Sequence, residues 1–156
     1  MFKVDGYIMY GRTGVCKVID ITNEKFINGE ERKYYVLSPI HNNNTIIKIP
    51  LDNTKIPMRK IISKEDVTSL INDMSNMEAL WIEDEKKRSN EFKTMLKSGK
   101  CEDLIKLISN KRHSKKLNKA DKEIIKEAER LVNEEFAIIL NISPKEVNSY
   151  ISSKRA

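Results

Sequence analysis

With 156 residues, 39% of them apolar and 33% charged, the chain is long enough for one domain or two small ones that each bury a core. No apolar run is long enough to cross a bilayer, and the N-terminal MFKVDGYIMY turns polar too soon for a secretory signal. A formal net charge of +6 favours an anionic partner. The two cysteines, Cys16 and Cys101, form no CxxC pair and are expected as buried free thiols in a reducing cytoplasm.

The first sixty residues carry β signals. Tyr7-Ile8-Met9-Tyr10 is followed by a glycine-flanked turn, Gly11-Arg12-Thr13-Gly14, and then by the loosely alternating Val15–Ile21. Asn28-Gly29 predicts a hairpin turn leading into Lys33-Tyr34-Tyr35-Val36-Leu37. Thr45–Ile49 is a further strand stopped by Pro50, and Ile56–Ile62 supplies a short fifth. Strands this short, with turns this close, predict a small, strongly bent antiparallel sheet or barrel.

At Ser63 the apolar period lengthens from two to about 3.6. Ser63-Lys64-Glu65-Asp66 offers a capping hydroxyl and early acids, with Val67, Leu70, Ile71 and Met74 at helical spacing. A second helix is predicted from Asn76 to Ser98, ending at Gly99, and a third from Glu102 to Arg112. Asn118 caps a long fourth, with Ile124, Ala128, Leu131, Val132, Phe136 and Ile139 on one stripe. Ser143-Pro144-Lys145-Glu146 opens a last one. The predicted class is α+β: a β module over residues 1–62, then a bundle of about five helices over 63–156.

Charge divides along the same plan. From Lys86 to Lys116, eleven Lys and Arg face three acids, a surplus of eight that exceeds the net charge of the whole chain. Acids at i, i+4 are sparse there, so the field is not cancelled locally, and Lys111-Arg112-His113-Ser114-Lys115-Lys116 lies in an inter-helix loop. Concentrated positive charge on helices fits a phosphate backbone. Trp81, the only tryptophan, shares one sector of the predicted second helix with Met77, Leu80, Arg88, Phe92 and Met95. That placement suits core or inter-domain packing, and the alternative is a wedge inserted beside unstacked bases from the minor groove.

Catalytic motifs are missing from the sequence. His41 and His113 have no metal-ligand spacing, and HExxH, GxSxG, P-loop and GxGxxG patterns do not occur. The acid pairs Glu83-Asp84-Glu85 and Glu134-Glu135 read as solvated helix faces. The expectation is a binding protein rather than an enzyme, with no metal and no cofactor.

The sequence resembles the CarD/CdnL family of bacterial transcription regulators. The likeness rests on Gly6–Tyr10, Gly14–Val18, Ile27–Leu37, Thr45–Pro50 and Met58–Ser63, then on Trp81, Arg88, Leu96–Gly99, Ala128–Leu131 and Glu134–Ala137. The resemblance implies a Tudor-like N-terminal module that binds the β subunit of RNA polymerase, with Lys25 and Lys48 where the family places basic contacts. Arg32 and Pro50 are added as neighbours of that surface. It also implies a helical domain that contacts double-stranded promoter DNA beside the opening bubble, through phosphate and minor-groove contacts and a tryptophan wedge. Two departures stand out. Counted back from Ser98-Gly99 and Arg88, the family's wedge position falls at Glu85, one turn after Trp81, and Ser89 stands where an aromatic commonly follows the arginine.

The resulting expectation is a monomeric, cytoplasmic transcription regulator that modulates open-complex stability. Lys25, Arg32, Lys48 and Pro50 would meet the polymerase. Trp81, Lys86, Lys87, Arg88, Lys111, Arg112, Lys115 and Lys116 would meet DNA. The rivals are an adaptor whose helical domain binds protein instead of DNA, and a nucleic-acid enzyme.

Overall fold

The glycine-punctuated first part of the chain folds as five antiparallel strands: β1 (Tyr7–Tyr10), β2 (Gly14–Lys25), β3 (Glu31–Pro39), β4 (Ile47–Pro50) and β5 (Met58–Lys60). In this computed structural model, which describes residues 1–77 and 80–155, the chain divides into two compact units, Met1–Ile61 and Ile62–Ala156.

In the first unit the strand order is β4-β3-β2-β1-β5, an open sheet rather than a closed barrel. A register shift between Val18 and Asp20 marks a bulge at Ile19. It reverses which residues face inward, from Cys16 and Val18 before it to Ile21 after it, and this is why the alternation along β2 reads as loose. Ile8, Tyr10, Cys16, Val18, Tyr35, Leu37 and Ile49 form the buried cluster. Removing each such large apolar side chain from water contributes roughly 1.5–3 kcal/mol. Gly11 is required by geometry: φ is 46°, and a Cβ there would meet Ile56 Cγ2 at 2.7 Å.

In the second unit the helices are α1 (Lys64–Asp73), α2 (Glu85–Ser98), α3 (Cys101–Ser109), α4 (Lys119–Leu140) and α5 (Val147–Arg155). The local signals act as expected at three ends. Ser63 and Asp66 form a reciprocal capping box, Asn118 and Asp121 form another, and Gly99 ends α2 at φ 67°. Along α4 the buried stripe runs through Ile125, Ala128, Leu131, Val132, Phe136 and Ala137.

Two expectations are corrected. The second helix does not run from Asn76. A 3₁₀ turn covers Met74–Met77, α2 begins at Glu85, and the predicted helical residues 78–79 lie outside the described residues. Asp84 is the true N-cap, accepting from the Lys87 amide, and Arg88 Nη1 donates to the carbonyls of Ile82 and Glu83 just upstream. Trp81 therefore lies in an irregular segment before the helix, and the helical sector assigned to it does not exist.

Glu134 and Glu135 are not a solvated face either, since both are buried. Arg130 pairs with Glu134, while Glu135 accepts from the Ile62 amide at 2.9 Å and the Cys101 thiol at 3.2 Å. Burial of these acids is compensated by fixed donors. Cys101 and Cys16 are both free and buried.

Candidate functional site

Around Trp81 the helical unit gathers three chain segments: the start of α2, the 3₁₀ turn Asn110–His113 and the start of α4. The Arg88 guanidinium carbon lies 4.7 Å from the centre of the half-buried indole. The His113 ring centre is 4.6 Å away at a 40° tilt, and Lys116 Nζ stands 5.9 Å off. These are cation–π and tilted aromatic contacts. Trp81 Nε1 is buried without a hydrogen-bond partner among the described residues.

Beneath the ring, Arg88 Nε donates to Asp121 Oδ2 at 2.9 Å, and both side chains are almost wholly buried. The same Asp121 oxygen accepts from the Asn118 amide, so the α4 cap and the support of Trp81 share one carboxylate. At the rim, Arg112 Nε donates to His113 Nε2 at 3.1 Å and Asn118 Nδ2 to Glu85 Oε1 at 2.8 Å.

The basic residues singled out in the sequence separate into three kinds. Lys86, Lys87 and Lys115 are exposed and have no ion-pair partner among the described residues, and Arg112 is exposed beside His113. Lys111 reaches Glu129 at 2.9 Å and Lys116 reaches Glu83 at 3.7 Å. These acids come from elsewhere in the fold, so the field is trimmed by tertiary pairs that i, i+4 spacing does not show. Such solvent-exposed pairs are worth about 0–1 kcal/mol each, little enough for a phosphate to replace. Arg88 needs correction as a direct phosphate contact. It is 4% exposed, its charge is met by Asp121 and its Nη1 holds backbone carbonyls, so it acts through Trp81.

Sequence reasoning missed Asp121, Glu129 and the contact of His113 with Trp81. Asn118 was read as a cap, but no spacing rule pairs Asp121 with a residue 33 positions earlier.

On the β unit, the register places Arg32, Lys48 and Pro50 on the side of the sheet opposite the Tyr35–Leu37–Ile49 core set. Glu24, directly across from Arg32, also pairs with Lys48 Nζ. Lys25, paired with Glu31, falls on the other side at the hairpin end. One face of the sheet thus holds three of the four residues. There β4 is an edge strand, and the hairpin tip carries an exposed Phe26 and a fully exposed Ile27 that were not foreseen.

None of the curated proteins searched matches the chain. Its β unit does have a family counterpart: residues 2–62 match the family model described as CarD-like/TRCF RID domain.

Proposed function

We propose that the chain is a non-enzymatic bacterial transcription regulator that docks on the β subunit of RNA polymerase through its β unit and holds promoter DNA with its helical unit. The observation that carries the reading is the match of residues 2–62 to the CarD-like/TRCF RID domain, a domain associated with RNA polymerase interaction in transcription. Arg32 and Lys48, with Pro50 beside them, offer a basic face to an acidic partner surface, with Lys25 gripping from the hairpin end. The edge strand β4 offers backbone groups for strand pairing.

The exposed cations Lys86, Lys87, Arg112 and Lys115, with Lys111 and Lys116 released from their acids, support a phosphate-tracking surface centred on Trp81. Contacts of this kind position a duplex without reading its bases. Bridging lengthens the life of the open complex only to the extent that opened promoter is held better than closed promoter. Trp81 is the group suited to that difference, because an indole can stack where a base step is opened. A protein of this kind works in the cytoplasm, at the nucleoid, as a monomer with no cofactor.

The adaptor reading has its own observation. Trp81 is packed within its own unit, and two of the six basic residues offered to DNA are paired with acids. A gel-shift and open-complex lifetime assay with purified polymerase and promoter separates the two. The regulator should supershift the complex and change its lifetime. A polymerase complex that forms with no change in DNA affinity or lifetime establishes the adaptor, and no polymerase complex at all overturns both.

A further inference from the structure

Arg88 and Asp121 are the most deeply buried ion pair among the described residues. Neither touches solvent enough to meet a partner, yet Arg88 stacks on the half-buried Trp81. Arg88 Nε is bound to Asp121, its Nη1 to the carbonyls of Ile82 and Glu83, and its guanidinium faces the Trp81 ring. The hydrogen bonds hold the edge of the guanidinium to Asp121 and to the backbone just before α2, while its face meets the indole. Asp121 is itself held by the α4 cap, where it accepts from the Asn118 amide and its own amide donates to Asn118 Oδ1. A fully buried carboxylate that leaves Oδ1 without a partner is costly to keep as a cap alone, because a neutral side chain could cap as well.

We infer that the buried Arg88–Asp121 pair is a positioning device: Asp121 fixes the Arg88 guanidinium, and the guanidinium sets the depth and tilt of Trp81 within its basic rim. Arg88 thereby contributes orientation and no phosphate contact. The inference rests on the proposed DNA-facing role only for its consequence; the positioning itself is a property of the free protein.

The test uses the full chain and exploits its single tryptophan, whose fluorescence reports position 81 alone. Two variants are compared with the parent: Asp121→Asn, and the double variant Arg88→Met/Asp121→Leu. The double variant leaves net charge unchanged and fills the buried space with apolar atoms, a replacement that proteins tolerate well. Its circular dichroism should stay helical while the Trp81 emission moves to longer wavelength and acrylamide quenching rises. Binding to a promoter fork should weaken roughly fivefold or more, the scale of one lost stacking contact, with the slope of log affinity against log salt unchanged.

Parent-like emission and quenching in a folded double variant overturn the positioning role, whatever DNA does. A salt slope reduced by about one unit overturns it in another way, by showing Arg88 to be a phosphate contact after all. Shifted fluorescence with unchanged DNA affinity leaves the positioning in place and refutes the DNA role of Trp81. If Asp121→Asn fails to fold, the double variant alone decides.

Discussion

Truncating Arg88 to alanine leaves the Asp121 carboxylate buried without its cation, and the structure fixes how much that should cost. The pair is 2.9 Å apart, with side chains 5% and 1% exposed. At an effective dielectric near 20, a charge pair at this separation attracts by about 6 kcal/mol, most of which only offsets the desolvation of both groups. Removing one partner forfeits the attraction and keeps the other partner's desolvation, so Arg88→Ala should cost about 3–5 kcal/mol. For a unit of this size, each kcal/mol moves the midpoint by roughly 4–8 °C, giving a fall of roughly 12 °C or more. Thermal unfolding followed by circular dichroism and by Trp81 fluorescence measures this, the second probe confining the change to the helical unit. The double variant Arg88→Met/Asp121→Leu, which leaves no buried charge unpaired, should recover most of the loss. A cost below about 1 kcal/mol for Arg88→Ala is the range of exposed pairs and would refute the burial argument.

Lys87→Glu and Lys115→Glu should each weaken DNA binding and flatten the dependence of log affinity on log salt by about one unit, measured by fluorescence anisotropy. An unchanged slope removes that lysine from the interface. Tyr10 is buried in the sheet, and burial first, with the nearby Cys16 second, raises its phenol above the ordinary 10.0. The raised value means that the folded state holds the proton longer than the unfolded chain does. The stabilisation is therefore complete below pH 10.0 and is lost as pH climbs through the higher folded value. Alkaline denaturation should track tyrosinate absorbance and be blunted in Tyr10→Phe. Ser63→Ala removes the hydroxyl that accepts from the Asp66 amide at 3.0 Å, and should cost about 1 kcal/mol in urea unfolding.

Local chemistry by itself determined the strands, most helix ends and the α+β class. A capping box spans four residues and a C′ glycine needs one, so Ser63–Asp66, Asn118 and Gly99 carry their meaning within their own neighbourhood; Asn28-Gly29 marked the β2–β3 hairpin, whose loop covers residues 26–30 with Gly29 at φ 85°. The surplus of Lys and Arg after residue 85 was equally legible, because composition needs no fold. The sequence resemblance pointed to the module that residues 2–62 match.

Only the tertiary structure decided which of those charges meet solvent. Arg88 and Asp121 are 33 positions apart, Cys101 and Glu135 are 34 apart, and Lys111 finds Glu129 on α4. Each pairing depends on how α2, α3 and the 3₁₀ turn pack against α4, a relation that no i, i+4 rule contains. Glu134 and Glu135 looked solvated for the same reason: burial belongs to the assembled helices and not to the residue type. Trp81 moved from a helix face to an irregular segment, because α2 starts at Glu85 with Asp84 as its cap, and Arg88 binds the carbonyls just before it. The periodicity around Trp81 was real in the sequence, but spacing alone does not show where a helix begins.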